Sequence, residues 1–189
     1  MTEAITLYVA RHGQTRLNRE WRFQGSTDEP LDETGLAQAK ALAERVPAGI
    51  GLLAVSPLLR ARQTAGYVAQ RQGLEMVLME EFRERAFGVF EGLGQEELES
   101  QYAELWHGGI VREWDAAPPG GETIREVKMR VERGLTRLRE GAHEPVLLVA
   151  HSFVARMIKL LLNGLPESTI YDGEMLGNAE FETYRLPRN

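Results

Sequence analysis

Cysteine is absent from the 189-residue chain, which removes disulfides, thiolate-bound zinc, iron–sulfur clusters and thiol nucleophiles together. Imidazole, carboxylate and hydroxyl groups remain for chemistry. A basic block is missing too. Lys and Arg number 22 against 28 Asp and Glu, a formal net charge of −6, so a nucleic-acid partner is not expected. No run is long and apolar enough to span a bilayer, and the opening MTEAITLYVARHG carries no cationic leader. A membrane partner is therefore not expected, and the expected location is cytoplasmic. What is present is ordinary: 43% hydrophobic and 26% charged residues suffice for a sizeable core and argue against disorder. The length suits a single domain over residues 1–189.

Hydrophobic periodicity organises the chain as alternating strands and helices. Ile5 to Ala10 is a short β-favouring run, read as a strand covered on both faces, that stops at Arg11-His12-Gly13. Thr34 is a candidate cap for a helix whose stripe is Leu36, Ala39, Ala43 and Val46, stopped by Pro47. A second strand at Leu52 to Val55 leads into Ser56-Pro57, which suits a cap and first helical position before the stripe Leu58, Ala61, Ala65 and Val68. Glu75 to Met79 reads as a third strand. Between Phe82 and Gly121 the pattern loosens around a helix near Gln95 to Trp106, which marks a lid or insertion over about 88–121. A helix with stripe Ile124, Val127, Val131, Leu135 and Leu138 should end in a left-handed cap at Gly141. Pro145 to Ala150 is a strongly apolar strand ahead of a helix over Val154 to Leu162, and Ala179 to Leu186 is a last, less buried strand. The expected fold class is α/β: three layers, a mostly parallel sheet with helices on both faces, and a small helical lid insertion.

Ligands in such sheets bind outside the carboxyl ends of the strands. Polar residues follow three strand ends here: Arg11-His12-Gly13, then Ser56 with Arg60 and Arg62, then His151-Ser152. Two of the four histidines thus occupy equivalent positions. Imidazoles among guanidiniums suit a phosphate better than a metal, because guanidinium forks onto phosphate oxygens whereas metal sites want carboxylates or more imidazoles. No metal and no cofactor is expected. A neutral imidazole can attack phosphorus, and neighbouring cations both stabilise the equatorial oxygens and keep the imidazole unprotonated. A carboxylic acid must protonate the leaving oxygen. Residue chemistry alone leaves Glu80, Glu81, Glu84 and Glu91 open for that role.

Six blocks carry a resemblance: ARHGQTRLN at 10–18, FQGSTDEPLDETGLAQA at 23–39, SPLLRARQTA at 56–65, FRERAFGVFEG at 82–92, PPGGET at 118–123 and VAHS at 149–152. Together and in this order they resemble the histidine phosphatase superfamily, with its phosphoglycerate mutase-like fold, over nearly the whole chain. The resemblance implies that His12 is the phosphorylated nucleophile and that Arg11, Arg60 and His151 bind the phosphoryl group. It further implies that Asn18 and the Gln24-Gly25 turn line the pocket and that Glu84 is the proton donor. Thr15 and Ser152 join the expected substrate-binding set; Ser152 stands where the family often has Gly. Arg16 reads as a loop residue or a second substrate contact, Arg62 as solvated, and Gly13 as a site of close backbone approach. Trp106 and Trp114 read as packing of the insertion, and His107 and His143 as surface residues.

Three functions follow as expectations. The first is a metal-independent phosphatase of small phosphate monoesters working through phosphohistidine; the second is a phosphoglycerate mutase; the third is a non-catalytic module that binds a phosphorylated ligand. Between Leu93 and Gly120 the acids Glu96, Glu97, Glu99, Glu104, Glu113 and Asp115 face one base, Arg112, a poor clamp for a second phosphate. Hydrolysis is favoured on that ground, with a small phosphorylated metabolite as the partner. Oligomeric state is left open, a homodimer among the options.

Overall fold

The computed structural model describes residues 4–141 and 145–188. Strands β1 (Ala4–Arg11), β2 (Leu52–Val55), β3 (Met76–Leu78), β4 (Val146–Ala150) and β5 (Phe181–Pro187) form one sheet in the order β3-β2-β4-β1-β5. All neighbouring pairs are parallel except β1 with β5. Helices α2 (Glu33–Arg45) and α3 (Leu59–Gln72) cover one face, and α6 (Ile124–Gly141) and α7 (Ser152–Leu162) cover the other. Short helices α1 (Arg16–Arg19), α4 (Gln95–Gln101) and α5 (Ala103–His107) sit in the connections.

The period-two geometry of strands distributes the core. Leu148 and Ala150 of β4 join Ile5, Leu7 and Val9 of β1 in the cluster under α6 and α7, while Leu147 and Val149 join Ala10, Leu53 and Val55 under α2 and α3. All five residues of β4 are buried, as a central parallel strand requires. The start of β1 is less enclosed, since Thr6 and Tyr8 are half-buried on the face away from α7. The stripes expected for α3 and α6 are buried as read.

Several boundaries differ from expectation, each for a physical reason. The cap of α2 is Asp32, whose carboxylate accepts from Gly35 N at 2.8 Å; Thr34 lies inside the helix. The buried face accordingly runs through Gly35, Ala39, Leu42 and Ala43, and Leu36 stays 38% exposed. Ser56 does not cap α3, which starts after an uncapped Leu58; its hydroxyl is committed to His151 at 2.7 Å. The single helix expected over Gln95 to Trp106 breaks at Tyr102, whose φ of −137° leaves the helical region and whose ring packs 5.6 Å from Phe90. Gly141 is the last residue of α6 rather than a left-handed cap, and His143 lies outside the described residues. The third strand shortens to three residues at the sheet edge.

Two glycines let the β1 turn lie against the start of α2. A Cβ on Gly13 would stand 2.5 Å from Gly35 O, and one on Gly35 would stand 2.0 Å from Gln14 O. Neither neighbour can yield, because both are backbone. Gly35→Ala is therefore expected to cost about 1–3 kcal/mol in urea unfolding. A variant as stable as the parent would show that the two segments are not locked together.

Candidate active site

Register explains why two distant histidines meet. Arg11 at the end of β1 is paired with Ala150 at the end of β4, so His12 and His151 are the next residues of adjacent parallel strands. His12 N donates to Ala150 O at 3.0 Å and Ser56 N to Val149 O at 3.0 Å, which stitches three strand ends together. The two imidazole centroids lie 5.1 Å apart with the rings tilted by 59°. Both side chains are buried.

The partners of His12 fix its tautomer. Nδ1 lies 2.7 Å from Gly13 O, which can only accept, so Nδ1 carries the proton. Arg60 Nε, which can only donate, points to Nε2 at 3.3 Å. The lone pair is therefore on Nε2. Burial holds the His12 pKa well below its ordinary value, and the guanidiniums of Arg60 and Arg11 lower it further, against the Gly13 hydrogen bond. His151 is held low in the same way, by burial and then by Arg60, His12, Arg130 and Arg11. Its Nε2 meets Ser56 Oγ, and its Nδ1 has no hydrogen-bond partner among the described residues.

Arg60 enters from the first turn of α3 and is wholly buried. It donates to Thr27 O and Gly25 O, both at 2.8 Å, which aims the guanidinium at His12 and ties down the 24–27 loop. Burial pushes its pKa down to about 10, opposed by Glu84, Asp28 and Glu91, so it stays cationic at neutral pH. Arg11 donates from one terminal nitrogen to Leu176 O at 2.8 Å, while its buried Nε is unpartnered among the described residues. Gln24 is similar: its Oε1 accepts from Thr15 Oγ1 at 3.1 Å and Asn18 Nδ2 at 3.4 Å, and its buried Nε2 has no partner among the described residues. Buried donors without acceptors cost free energy unless something anionic or polar meets them.

A cavity of about 670 Å³ opens here. Arg11, His12, Asn18, Gln24, Gly25, Arg60, Glu84 and Ser152 all line it, as the sequence suggested. Thr15 does not: it is fully buried, caps α1 and positions Gln24. His151 also lies behind the lining, against His12. Arg16 pairs with Glu20 and Glu29 at the surface and Arg62 is exposed, so neither reaches the site. Trp106 packs edge-on against Phe23 at 6.0 Å, and Trp114 packs beside the α6–α7 core, both structural uses. Among the described residues no three His, Asp or Glu side chains gather as a metal-holding group.

The four candidate acids separate by position. Glu80 and Glu81 face outward onto Arg83 and Arg137. Glu91 lies behind the 24–27 loop, where it accepts from Ser26 N at 2.8 Å, Thr27 N at 2.8 Å and Phe87 N at 2.9 Å. Burial works against its ionised form, but these bonds and the Thr27 and Ser26 hydroxyls outweigh it and lower its pKa. Only Glu84 lines the cavity, its Oε1 accepting from Arg85 N at 2.9 Å and its Oε2 from Phe153 N at 3.3 Å. Gly25 explains why Glu91 matters: its φ is +53°, and a Cβ there would fall 2.1 Å from Glu91 Oε1.

Sequence reasoning missed several members of the site. Ser56 was placed at the polar strand edge but given only a capping role, not its contact with His151. Asn178 donates to His12 O at 3.0 Å and Asn18 Oδ1 at 3.3 Å and lines the cavity. It arrives because β5 runs antiparallel to β1, which brings the loop before β5 to the carboxyl end of β1. Nothing in the sequence reading gave that direction. Trp21, Phe23, Phe87 and Met175 also line the cavity, beside Arg19 and Arg22.

With fold and site described, comparison with known proteins places the chain. Residues 7–188 match the histidine phosphatase superfamily (branch 1), and the chain belongs to that family. It is 34% identical over 167 residues to a probable phosphoglycerate mutase GpmB of Enterobacter sp. (strain 638), covering 86% of this chain and 76% of that one. It is 33% identical to an uncharacterized phosphatase PhoE of Bacillus subtilis (strain 168), covering 94% and 90%. Among solved structures, a mycobacterial glucosyl-3-phosphoglycerate phosphatase superposes with a TM-score of 0.84 at 30% identity, covering 96% and 90%. The alpha-ribazole phosphatase of Shigella flexneri gives 0.86 at 25% identity, covering 98% and 96%. The family and these relatives support an enzyme of the phosphatase or mutase type.

Two outcomes test the site as a structure. Glu91→Ala should destabilise by about 2–4 kcal/mol, since it strands several half-buried donors; a loss under about 0.5 kcal/mol, within the range of neutral surface changes, would remove Glu91 as the anchor of the loop. Both histidines are held neutral in the folded protein, while in the unfolded chain they protonate near pH ~6.5. The unfolded state binds more protons below that value, so stability should fall as pH drops through it. Melting temperatures measured across that window check this, and a variant carrying Gln at both histidines should show a shallower fall. An equal slope in both proteins would contradict the assignment.

Proposed function

We propose that the chain is a phosphatase that hydrolyses small phosphate monoesters through a phosphohistidine on His12. The observation that carries this reading is the unprotonated Nε2 of His12, in a buried site between two guanidiniums. A phosphoryl group bound in the cavity would meet Arg60, Arg11 Nε and Gln24 Nε2, the last two being donors without an acceptor among the described residues. His151 contributes from behind. Its Nε2 is held by Ser56 Oγ at 2.7 Å, which fixes the ring 5.1 Å from that of His12.

In the first half-reaction Arg60 Nε shifts its hydrogen bond from His12 Nε2 to a phosphoryl oxygen, and the freed lone pair forms a bond to phosphorus as the ester oxygen leaves with its electron pair and takes a proton from Glu84. In the second, water attacks phosphorus, Glu84 accepts its proton, and the bond to Nε2 breaks to release phosphate. The cations lower both barriers by stabilising charge on the equatorial oxygens.

Phosphatase is preferred to mutase on the character of the cavity mouth. Trp21, Phe23, Phe87 and Met175 line it. Of its two outer cations, Arg22 is already bound to Glu97 at 2.5 Å and to Gly92 O at 2.7 Å. That mouth suits an apolar alcohol better than a second phosphate.

The test is turnover of para-nitrophenyl phosphate in EDTA, with a parallel assay of 3-phosphoglycerate primed by bisphosphoglycerate. Hydrolysis without efficient isomerisation is expected; efficient isomerisation would make the chain a mutase. His12→Ala should lose activity by at least about 10³-fold with the fold retained. Glu84→Gln should slow alkyl phosphates about 10²-fold or more while sparing para-nitrophenyl phosphate, whose leaving group departs unaided. Equal losses on both esters would move the acid role elsewhere.

A further inference from the structure

Two non-glycine residues among those described have a positive φ, Ala179 and Trp21, and Trp21 is the bulky one and lines the cavity. Trp21 has a φ of +54°, a region bulky side chains rarely adopt. The residue is 87% exposed, so core packing does not hold it in that conformation. The backbone does: Trp21 N donates to Asn18 O at 3.2 Å and Arg22 N to Leu17 O at 2.9 Å, which closes the turn that carries α1 towards Gln24. Asn18 and Gln24, three residues to either side, both line the cavity, and so does Trp21. Met175, 49% exposed, lines the same cavity from the loop before β5. Two large apolar side chains are thus presented to solvent where the alcohol part of an ester would emerge. A glycine would satisfy the backbone there without strain, and a polar residue would satisfy the solvent. Strain kept at a ligand mouth is a recognised mark of function.

We propose that Trp21, with Met175, is the specificity-determining contact for the leaving group, and selects phosphate monoesters whose alcohol carries a flat, apolar portion. This rests on the phosphatase reading and adds a substrate class to it. An indole face offers area and quadrupole to a planar group at little entropic cost, and methionine conforms to whatever shape lies against it. A small polyol phosphate would leave both surfaces wet.

The experiment compares naphthyl phosphate with glycerol phosphate in the parent, Trp21→Gly and Trp21→Phe, and measures naphthyl phosphonate binding by calorimetry. The ratio of kcat/KM for naphthyl over glycerol phosphate should drop about tenfold in Trp21→Gly, through KM rather than kcat, and be largely restored in Trp21→Phe. The urea midpoint of Trp21→Gly should hold or rise. An unchanged ratio, or a lower midpoint with equal losses on both esters, would make Trp21 structural and overturn the proposal. Should the parent turn over neither ester, the phosphatase reading falls, and phosphonate affinity decides Trp21 separately: about tenfold weaker binding in Trp21→Gly supports it, and equal binding overturns it.

Discussion

A cation pressed against a neutral imidazole is the constraint on which the rest depends. Arg60 Nε donates to His12 Nε2 at 3.3 Å while Gly13 O accepts from Nδ1 at 2.7 Å. Neither partner can exchange roles, so the ring is locked with its lone pair facing a buried positive charge. Such a contact opposes a proton on Nε2, whereas the neutral ring accepts the Arg60 hydrogen bond there until an electrophile takes the lone pair. The remaining architecture keeps that arrangement in place. Parallel register aligns β1 with β4, α3 delivers Arg60, and Glu91 holds the loop whose carbonyls orient the guanidinium.

Close backbone packing surrounds the chemistry. Gly13 and Gly35 allow the β1 turn to touch α2, and Gly25 gives space to Glu91. The connections that form the outer wall add aromatic contacts such as Phe23 with Phe87 at 4.9 Å and Phe90 with Trp106 at 6.4 Å. A rigid anion pocket beneath an aromatic rim lets one chemistry serve different alcohols, because phosphate recognition and leaving-group recognition use separate residues.

Much of this was legible in the sequence. Strand–helix alternation gave the sheet, and polar residues after apolar runs marked its carboxyl edge, which located His12, His151 and the pair Arg60 and Arg62; the resemblance chose Arg60 from that pair. The blocks around them implied Asn18, Gln24 and Glu84. Local signals failed where tertiary partners compete for the same atoms. Ser56 looks like a cap, yet its hydroxyl belongs to His151; Thr34 looks like a cap, yet Asp32 reaches Gly35 N first. Asn178 and Met175 could not be read, because they depend on the antiparallel return of β5. Trp21 was invisible for another reason: a positive φ is a property of the turn, and the letter W announces nothing about it.

The covalent role of His12 is tested most directly by rapid quenching. The protein is mixed with a radiolabelled phosphate ester, stopped in alkali within a turnover, digested and sequenced. The account predicts acid-labile, base-stable label on the peptide containing His12, formed and lost as fast as the ester is consumed. Turnover without label on the protein, or label on any other residue, would contradict it.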